Sequence, residues 1–395
     1  MPVFIHAIAR ALPPTIYPQT AIRDMMKAQP DLDRLGQRLT SMVYNGSGID
    51  QRHSAIDEFL LGQDQPAGLF FDPASSRMLN PSTRARNEVY TREAAKLFVQ
   101  AAQAALSASG VASADITHVI TVSCTGFFAP GPDYAVVRGL ELRSDVQRFH
   151  VGFMGCYAAF PALKMAKAFC EANPQANVLV ICAELCTLHM HSSSDPDAII
   201  ANSVFADGAA AALVSARPPV AGRTALELNH FETTLTPVGI GEAEMAWTVG
   251  DQGFDMVLST YVPSIIESHI VGALAPLLSH SSTPTNPVQA QEQTHEQTPQ
   301  QTPQQTHGEQ VQHWAIHPGG RSILDKVQSS LSLSDAQLRP SREVLRLYGN
   351  MSSVTILFIL ADLLHTVSEG ERVCAMAFGP GLTVESGLMT RVAGA

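Results

Sequence analysis

Apolar residues recur along this chain in short strand-length runs separated by stretches with helical spacing. Residues 3–10 read as a first strand, closed by Pro13-Pro14. Residues 22–40 alternate apolar and charged positions at helical spacing, with Arg23, Lys27, Arg34 and Arg38 among the charged ones. Residues 46–53 form a glycine turn running into a short extended segment, and 91–108, rich in alanine, predict a helix. A strand at 116–122 leads into Ser123-Cys124-Thr125-Gly126 and a Pro/Gly loop, and 178–182 and 209–214 read as further strands. Near residues 218–223 the chain starts a second set of strands, so two units are expected, 1–220 and 221–395. In the second unit, 253–274 reads as helical with a break near Pro263, and 314–320 as a strand ending in a glycine-rich turn. Residues 342–348 and 352–364 follow as helices, separated by Gly349-Asn350, and 378–385 is a glycine turn feeding a final strand. Alternation of this kind predicts a layered α/β fold.

Residues 281–310 break the pattern. They are dominated by Gln, Thr and Pro, with almost no apolar positions, and such a segment buries too little surface to offset its ordering entropy. They are expected to form a disordered surface insertion.

Composition narrows the classes of function. A chain of 395 residues with 45% hydrophobic and 15% charged residues has the makeup of a well-buried globular protein. Its formal net charge of −11 argues against general nucleic-acid binding and requires a local basic patch for any anionic substrate. Six cysteines without paired spacing suggest reduced thiols and a cytoplasmic setting. The first residues lack a basic segment followed by an apolar core, and no apolar run approaches membrane-spanning length, so neither signal peptide nor membrane span is expected.

Three positions carry candidate chemistry. Phe149 to Pro161 begins as an apolar run, narrows to small residues and places Cys156 where a helical pattern starts, continued by Leu163, Ala166, Phe169 and Cys170. A helix N-terminus favours negative charge and can draw a thiol pKa into the range of roughly 3.5–7.5. Cys156 is therefore either a nucleophilic thiolate or a small packing residue at a crowded corner. A cysteine nucleophile needs a partner, and His317, at a strand end before Pro318-Gly319-Gly320, is suitable. Asn350 fits either a helix N-cap or an amide donor to a developing oxyanion. A separate reading groups Cys182, Cys186, His189 and His191 as metal ligands, but their spacing forms no zinc-knuckle turn, so core packing and pocket lining are preferred and no metal is expected.

Taken together, Cys156, His317-Pro318-Gly319-Gly320, Gly349-Asn350-Met351-Ser352-Ser353 and Gly379-Pro380-Gly381-Leu382-Thr383-Val384-Glu385 resemble the type III polyketide synthases, the chalcone synthase-like branch of the thiolase superfamily, in a bacterial-type form. Ala129-Pro130-Gly131-Pro132-Asp133-Tyr134 and Phe205-Ala206-Asp207-Gly208-Ala209-Ala210 match further family blocks in order. The resemblance implies a thiolase-like fold of two similar α-β-α-β-α halves in five layers, and a homodimer. It implies that Cys156 accepts an acyl group from a CoA thioester and that His317 holds it as thiolate. His317 and Asn350 would then stabilise the enolate left when malonyl-CoA loses CO₂. The extended chain would cyclise to a pyrone, resorcinol or phloroglucinol-type product. The CoA thioesters are substrates, and no cofactor is implied. A ketoacyl carrier-protein synthase III uses the same three residue types, but Pro-Gly-Gly after His317 and Met-Ser-Ser after Asn350 favour the polyketide group.

The same resemblance places Phe205 and Met256 at the two gatekeeper positions, with methionine departing from phenylalanine. Cys124 and Cys186 stand where plant members carry pocket threonines, and Ala129 where they carry a methionine reaching into the partner's site. Ser352 and Pro380 are further expected substrate contacts. Smaller apolar linings favour aliphatic starters, whereas Trp247 would reduce the cyclisation pocket. The plant pattern of CoA-binding cations is missing, and Arg34, Arg38 and Arg52 are the candidates in its place.

Overall fold

A computed structural model describes residues 1–280 and 311–394, so the Gln/Thr-rich stretch at 281–310 lies outside the described residues. Among the described residues the main sheet has nine strands. In spatial order they are His313–Ile316, Arg372–Gly379, Thr383–Ala393, Thr224–Leu235, Phe4–Ala11, Asp207–Ser215, Asn177–Leu185, His118–Ser123 and Gln147–Gly152. Second-half strands occupy one end and first-half strands the other. The join is narrow: only Phe4 and Ile5 pair with the second half, to Glu227 and Leu226, while the first strand pairs from Phe4 to Ala11 along Asp207–Ser215 on its other side.

The side-chain period of two along each strand divides the interior into layers. In Asn177–Leu185, Val178, Val180 and Cys182 face a central core that contains the helices Ala159–Ala172 and Thr355–Thr366. The alternate residues Leu179, Ile181 and Ala183 face a second core under the helix Thr83–Ser109. Arg372–Gly379 repeats the pattern in the other half. There Val373, Ala375 and Ala377 face the central core, and Cys374, Met376 and Phe378 a third core under Val262–Ser279 and Arg321–Leu331. The two ends of the one nine-stranded sheet thus enclose the central helices and carry outer helices on their far faces, the five-layered thiolase-like α/β architecture. Asp207–Ser215 carries alanines on both faces, at 209–212, which lets helices approach it closely from either side.

Three local expectations need correction. The helical pattern at 22–40 is two helices, Gln19–Lys27 and Arg34–Gly46, because Pro30 interrupts it and Asp33 caps the second by accepting from Gly36 N at 2.7 Å. The helical reading of 253–274 holds only from Val262. Gly253–Leu258 is a strand paired with Met245–Gly250, with Trp247 opposite Met256 and Val249 opposite Phe254. The following helix, Val262–Ser279, has 18 residues and mean hydropathy 1.3, long and apolar enough by composition to cross a membrane, contrary to expectation. Here Ile266, Ile270, Leu274 and Leu277 bury one face of it in the third core. Pro161 sits in the first turn of Ala159–Ala172, where its missing N–H has no helical acceptor to lose.

Candidate active site

Cys156 lies in the short 3₁₀ turn Gly155–Tyr157, between the strand Gln147–Gly152 and the helix Ala159–Ala172. Gly155 has φ +73°, a conformation that suits glycine. The Gly379-Pro380-Gly381 turn packs onto this corner: a β-carbon on Gly379 would lie 2.4 Å from Tyr157 Cδ1. The cysteine turn of one half is thereby held by the final turn of the other.

His317 follows the strand His313–Ile316, and its backbone N–H donates to Met376 O at 2.9 Å. The residue is 1% exposed, and neither ring nitrogen has a hydrogen-bond partner. Asn350 is tied to the segment around Phe205. Its N–H donates to Val204 O, and its carbonyl accepts from Ala206 N, both at 2.8 Å. Asn350 Oδ1 accepts from Ser352 N at 2.8 Å, and Nδ2 donates to Gly319 O at 3.3 Å. The side chain thus closes a two-residue Asx-type turn rather than capping a helix, since Met351 and Val354 hold the N-cap positions that follow, and the turn fixes which end of the amide points toward the histidine segment.

These side chains share one cavity of about 280 Å³. Cys124, Cys156, Cys186, Phe205, Trp247, Met256, His317, Asn350, Ser352 and Pro380 all line it. Burial pushes the Cys156 thiol up to about 11, opposed by hydrogen bonds from Ser352 and Asn350 and reinforced by Glu184. Burial also draws the His317 imidazole down to about 3. Taken singly, each group is held neutral by its burial. Ser352, at φ +49°, places its hydroxyl 3.4 Å from Cys124 Sγ.

The far wall is aromatic. His189 stacks on Phe254 with centroids 4.0 Å apart, and Phe254 on Trp247 at 5.0 Å. His189 Nε2 pairs with Thr125 O at 2.8 Å, and burial lowers its pKa to about 4. Cys182 faces the central core beside Val178 and Val180, away from Cys186, His189 and His191 on the cavity wall, and among the described residues no three such side chains converge to hold a metal ion.

Glu184 is the residue that sequence reasoning missed. It is completely buried, and Oε2 accepts from Cys124 N at 2.9 Å, Thr125 Oγ1 at 2.9 Å and Ser123 Oγ at 3.2 Å. Oε1 accepts from Ser353 Oγ at 2.5 Å, so one carboxyl joins the Cys124 loop to the segment after Asn350. Burial raises its pKa. The available signal was a lone acid in an apolar strand, a placement that demands partners.

The expected phosphate contact at Arg52 is overturned. Arg52 is 2% exposed, and its Nη1 donates to Asn202 O and Phe205 O, both at 2.7 Å. It supports the Asn202 to Phe205 segment from behind. Arg34 and Arg38 are exposed on Arg34–Gly46 and line neither this cavity nor its neighbour.

Comparison with known proteins agrees with this arrangement. Residues 2–218 match the model of the N-terminal domain of chalcone and stilbene synthases, and residues 287–393 that of the C-terminal domain. The chain is similar to PKS-I of the brown alga Ectocarpus siliculosus, with TM-score 0.85 and 26% identity over 99% of this chain and 98% of that one. It is also similar to the C-terminal type III polyketide synthase domain of Steely1, a type I/III hybrid from Dictyostelium, with TM-score 0.83 and 25% identity over 100% of both chains. A fungal type III polyketide synthase, ORAS, shares the fold, with TM-score 0.80 and 24% identity over 99% of this chain and 100% of that one. The chain belongs to the chalcone and stilbene synthase family of type III polyketide synthases.

Proposed function

We propose that this protein loads an acyl-CoA starter on Cys156, extends it by decarboxylative condensation with malonyl-CoA, and cyclises the product. The observation that carries this reading is the convergence of a thiol, an imidazole with two unpartnered nitrogens and an oriented amide on one cavity. Cys156 Sγ transfers its proton to His317 and attacks the thioester carbonyl, and CoA leaves as its thiol. Formation of an ion pair in a largely buried site is costly for either ion alone, and mutual attraction offsets that cost.

Malonyl-CoA then occupies the site with its thioester oxygen toward His317 and the Asn350 amide. The bond to the carboxylate breaks, CO₂ leaves, and the electron pair becomes an enolate whose oxygen these donors stabilise. The enolate carbon attacks the acyl-Cys156 carbonyl and expels the thiolate. The chain is now two carbons longer and carried on CoA. These steps use only the side chains named and the CoA thioesters.

Cys124, Cys186 and Met256 give the wall an apolar, partly flexible lining that favours aliphatic over hydroxylated aromatic starters. The functional halves are 1–220, with the nucleophile, and 221–395, with His317 and Asn350, and the working assembly is a homodimer. Incubation with malonyl-CoA and a panel of acyl-CoA starters, read by mass spectrometry, tests the proposal. Acyl-Cys156 adducts and pyrone or resorcinol-type products are expected. Absence of both the adduct and CO₂ release overturns it.

A further inference from the structure

The catalytic cavity adjoins a larger one. A second cavity of about 550 Å³ shares Leu258, Gly319 and Ile323 with it. Both halves of the chain build its walls, from the end of Arg34–Gly46 to the starts of Val262–Ser279 and Arg321–Leu331. A CoA thioester is a nucleotide polyanion on a long apolar arm, and this protein carries a net charge of −11. Local cations must hold it.

Among the residues lining this cavity, Arg321 and Lys326 are the cations and Asp325 the one acid. The Arg321 stem lies across Gly48, where an added β-carbon would stand 3.6 Å from Arg321 Cδ, and leaves the guanidinium at the surface. Arg321 is loosely engaged: it is 3.6 Å from Asp325, whose other oxygen is taken by Arg342 at 2.7 Å. Lys326 pairs with Glu267 at 2.7 Å, with both side chains 39% exposed. Pairs this exposed contribute little, so a phosphate competes with them readily.

We propose that Arg321 and Lys326 anchor the phosphates of the CoA thioesters whose acyl groups reach Cys156 through the second cavity. The inference rests on the condensing-enzyme reading above. It moves the anchor from the first-half arginines to the helix that directly follows His317 and its glycine turn. Substrate capture and catalysis then belong to the same segment of the second half.

The test compares malonyl-CoA with the malonyl thioester of N-acetylcysteamine, which keeps the reacting end and lacks the nucleotide and phosphates. In the double variant Arg321→Glu, Lys326→Glu, kcat/KM for malonyl-CoA relative to the truncated thioester is expected to fall at least about tenfold. Arg321→Lys with Lys326→Arg retains both charges and should recover most of that ratio. Arg339→Glu, exposed and lining neither cavity, controls for net charge. Calorimetric titration of CoA alone provides a readout independent of turnover, with weaker binding expected in the double variant. An unaltered ratio together with unaltered CoA affinity overturns the anchor, as does failure of the wild type to bind CoA. If CoA binding weakens as expected but the wild type releases no CO₂ from malonyl-CoA, the anchor stands and the condensing reading falls.

Discussion

Gly155 and Pro380, from opposite halves of the chain, pack so closely that a β-carbon on the glycine would lie 2.5 Å from Pro380 Cδ. The contact sits one residue before the nucleophile, and Gly155 also has φ +73°. Gly155→Ala therefore combines backbone strain with a clash against a rigid ring and should cost about 2–4 kcal/mol. Thermal unfolding measures the cost, and condensation should fall by more than the fraction of folded protein lost, because the cysteine turn must shift. A variant with wild-type melting and turnover would show that the two halves adjust freely here.

The division of labour in the site separates two activities. Cys156→Ala should abolish condensation and leave malonyl-CoA decarboxylation detectable through His317 and Asn350. His317→Ala and Asn350→Ala each remove an oxyanion donor and should lower decarboxylation about 10²–10³-fold. CO₂ release assayed without a starter distinguishes these outcomes.

The charge state of the nucleophile can be read by alkylation. The surroundings of Cys156, burial foremost, push its thiol up to about 11, and on the proposed mechanism His317 takes the proton and brings reactivity toward neutral pH. The rate of Cys156 alkylation against pH should show a higher apparent pKa in His317→Gln than in wild type. Superimposable profiles would remove the histidine from thiol activation.

Acid stability follows from the same imidazole. Its folded pKa of about 3 lies below the ordinary 6.5, so the unfolded chain takes up a proton that the folded chain refuses between those values. This contribution to stability is present above pH 6.5 and is lost as pH falls toward about 3. His317→Gln should flatten the dependence of melting temperature on pH between 6.5 and 4, measured by differential scanning calorimetry.

Glu184 is expected to be the most demanding polar position near the site. Glu184→Ala strands Cys124 N, Thr125 Oγ1, Ser123 Oγ and Ser353 Oγ, at a cost of about 3–5 kcal/mol. Glu184→Gln keeps an acceptor on one side and should cost about 1–2 kcal/mol. Urea unfolding of the two variants measures the difference.

Much of the fold was legible because strand and helix periods are local properties. The runs at 116–122, 178–182 and 209–214 are strands, and the apolar helix after Asn350 lies in the central core. The helical reading of 253–258 failed for a non-local reason: Phe254 and Met256 face the cavity only because Gly253–Leu258 pairs with Met245–Gly250. Arg52 failed for the same reason. Its sequence neighbourhood looks like a solvated turn, yet the carbonyls of Asn202 and Phe205 arrive from 150 and 153 residues away.

The sequence by itself determined the chemistry on offer: a cysteine at a strand-to-helix corner, a histidine before a glycine turn, and an asparagine at a helix break. Side-chain type and local spacing are written in the chain. Only the tertiary structure decided that these three groups share one buried cavity and that its walls are apolar and aromatic. The tertiary structure also decided that Arg52 is buried behind Phe205 while Arg321, only loosely paired with Asp325, is exposed at the neighbouring cavity. Burial sets the pKa of a thiol or an imidazole, and burial is a property of the residues that surround a group, most of them distant in sequence.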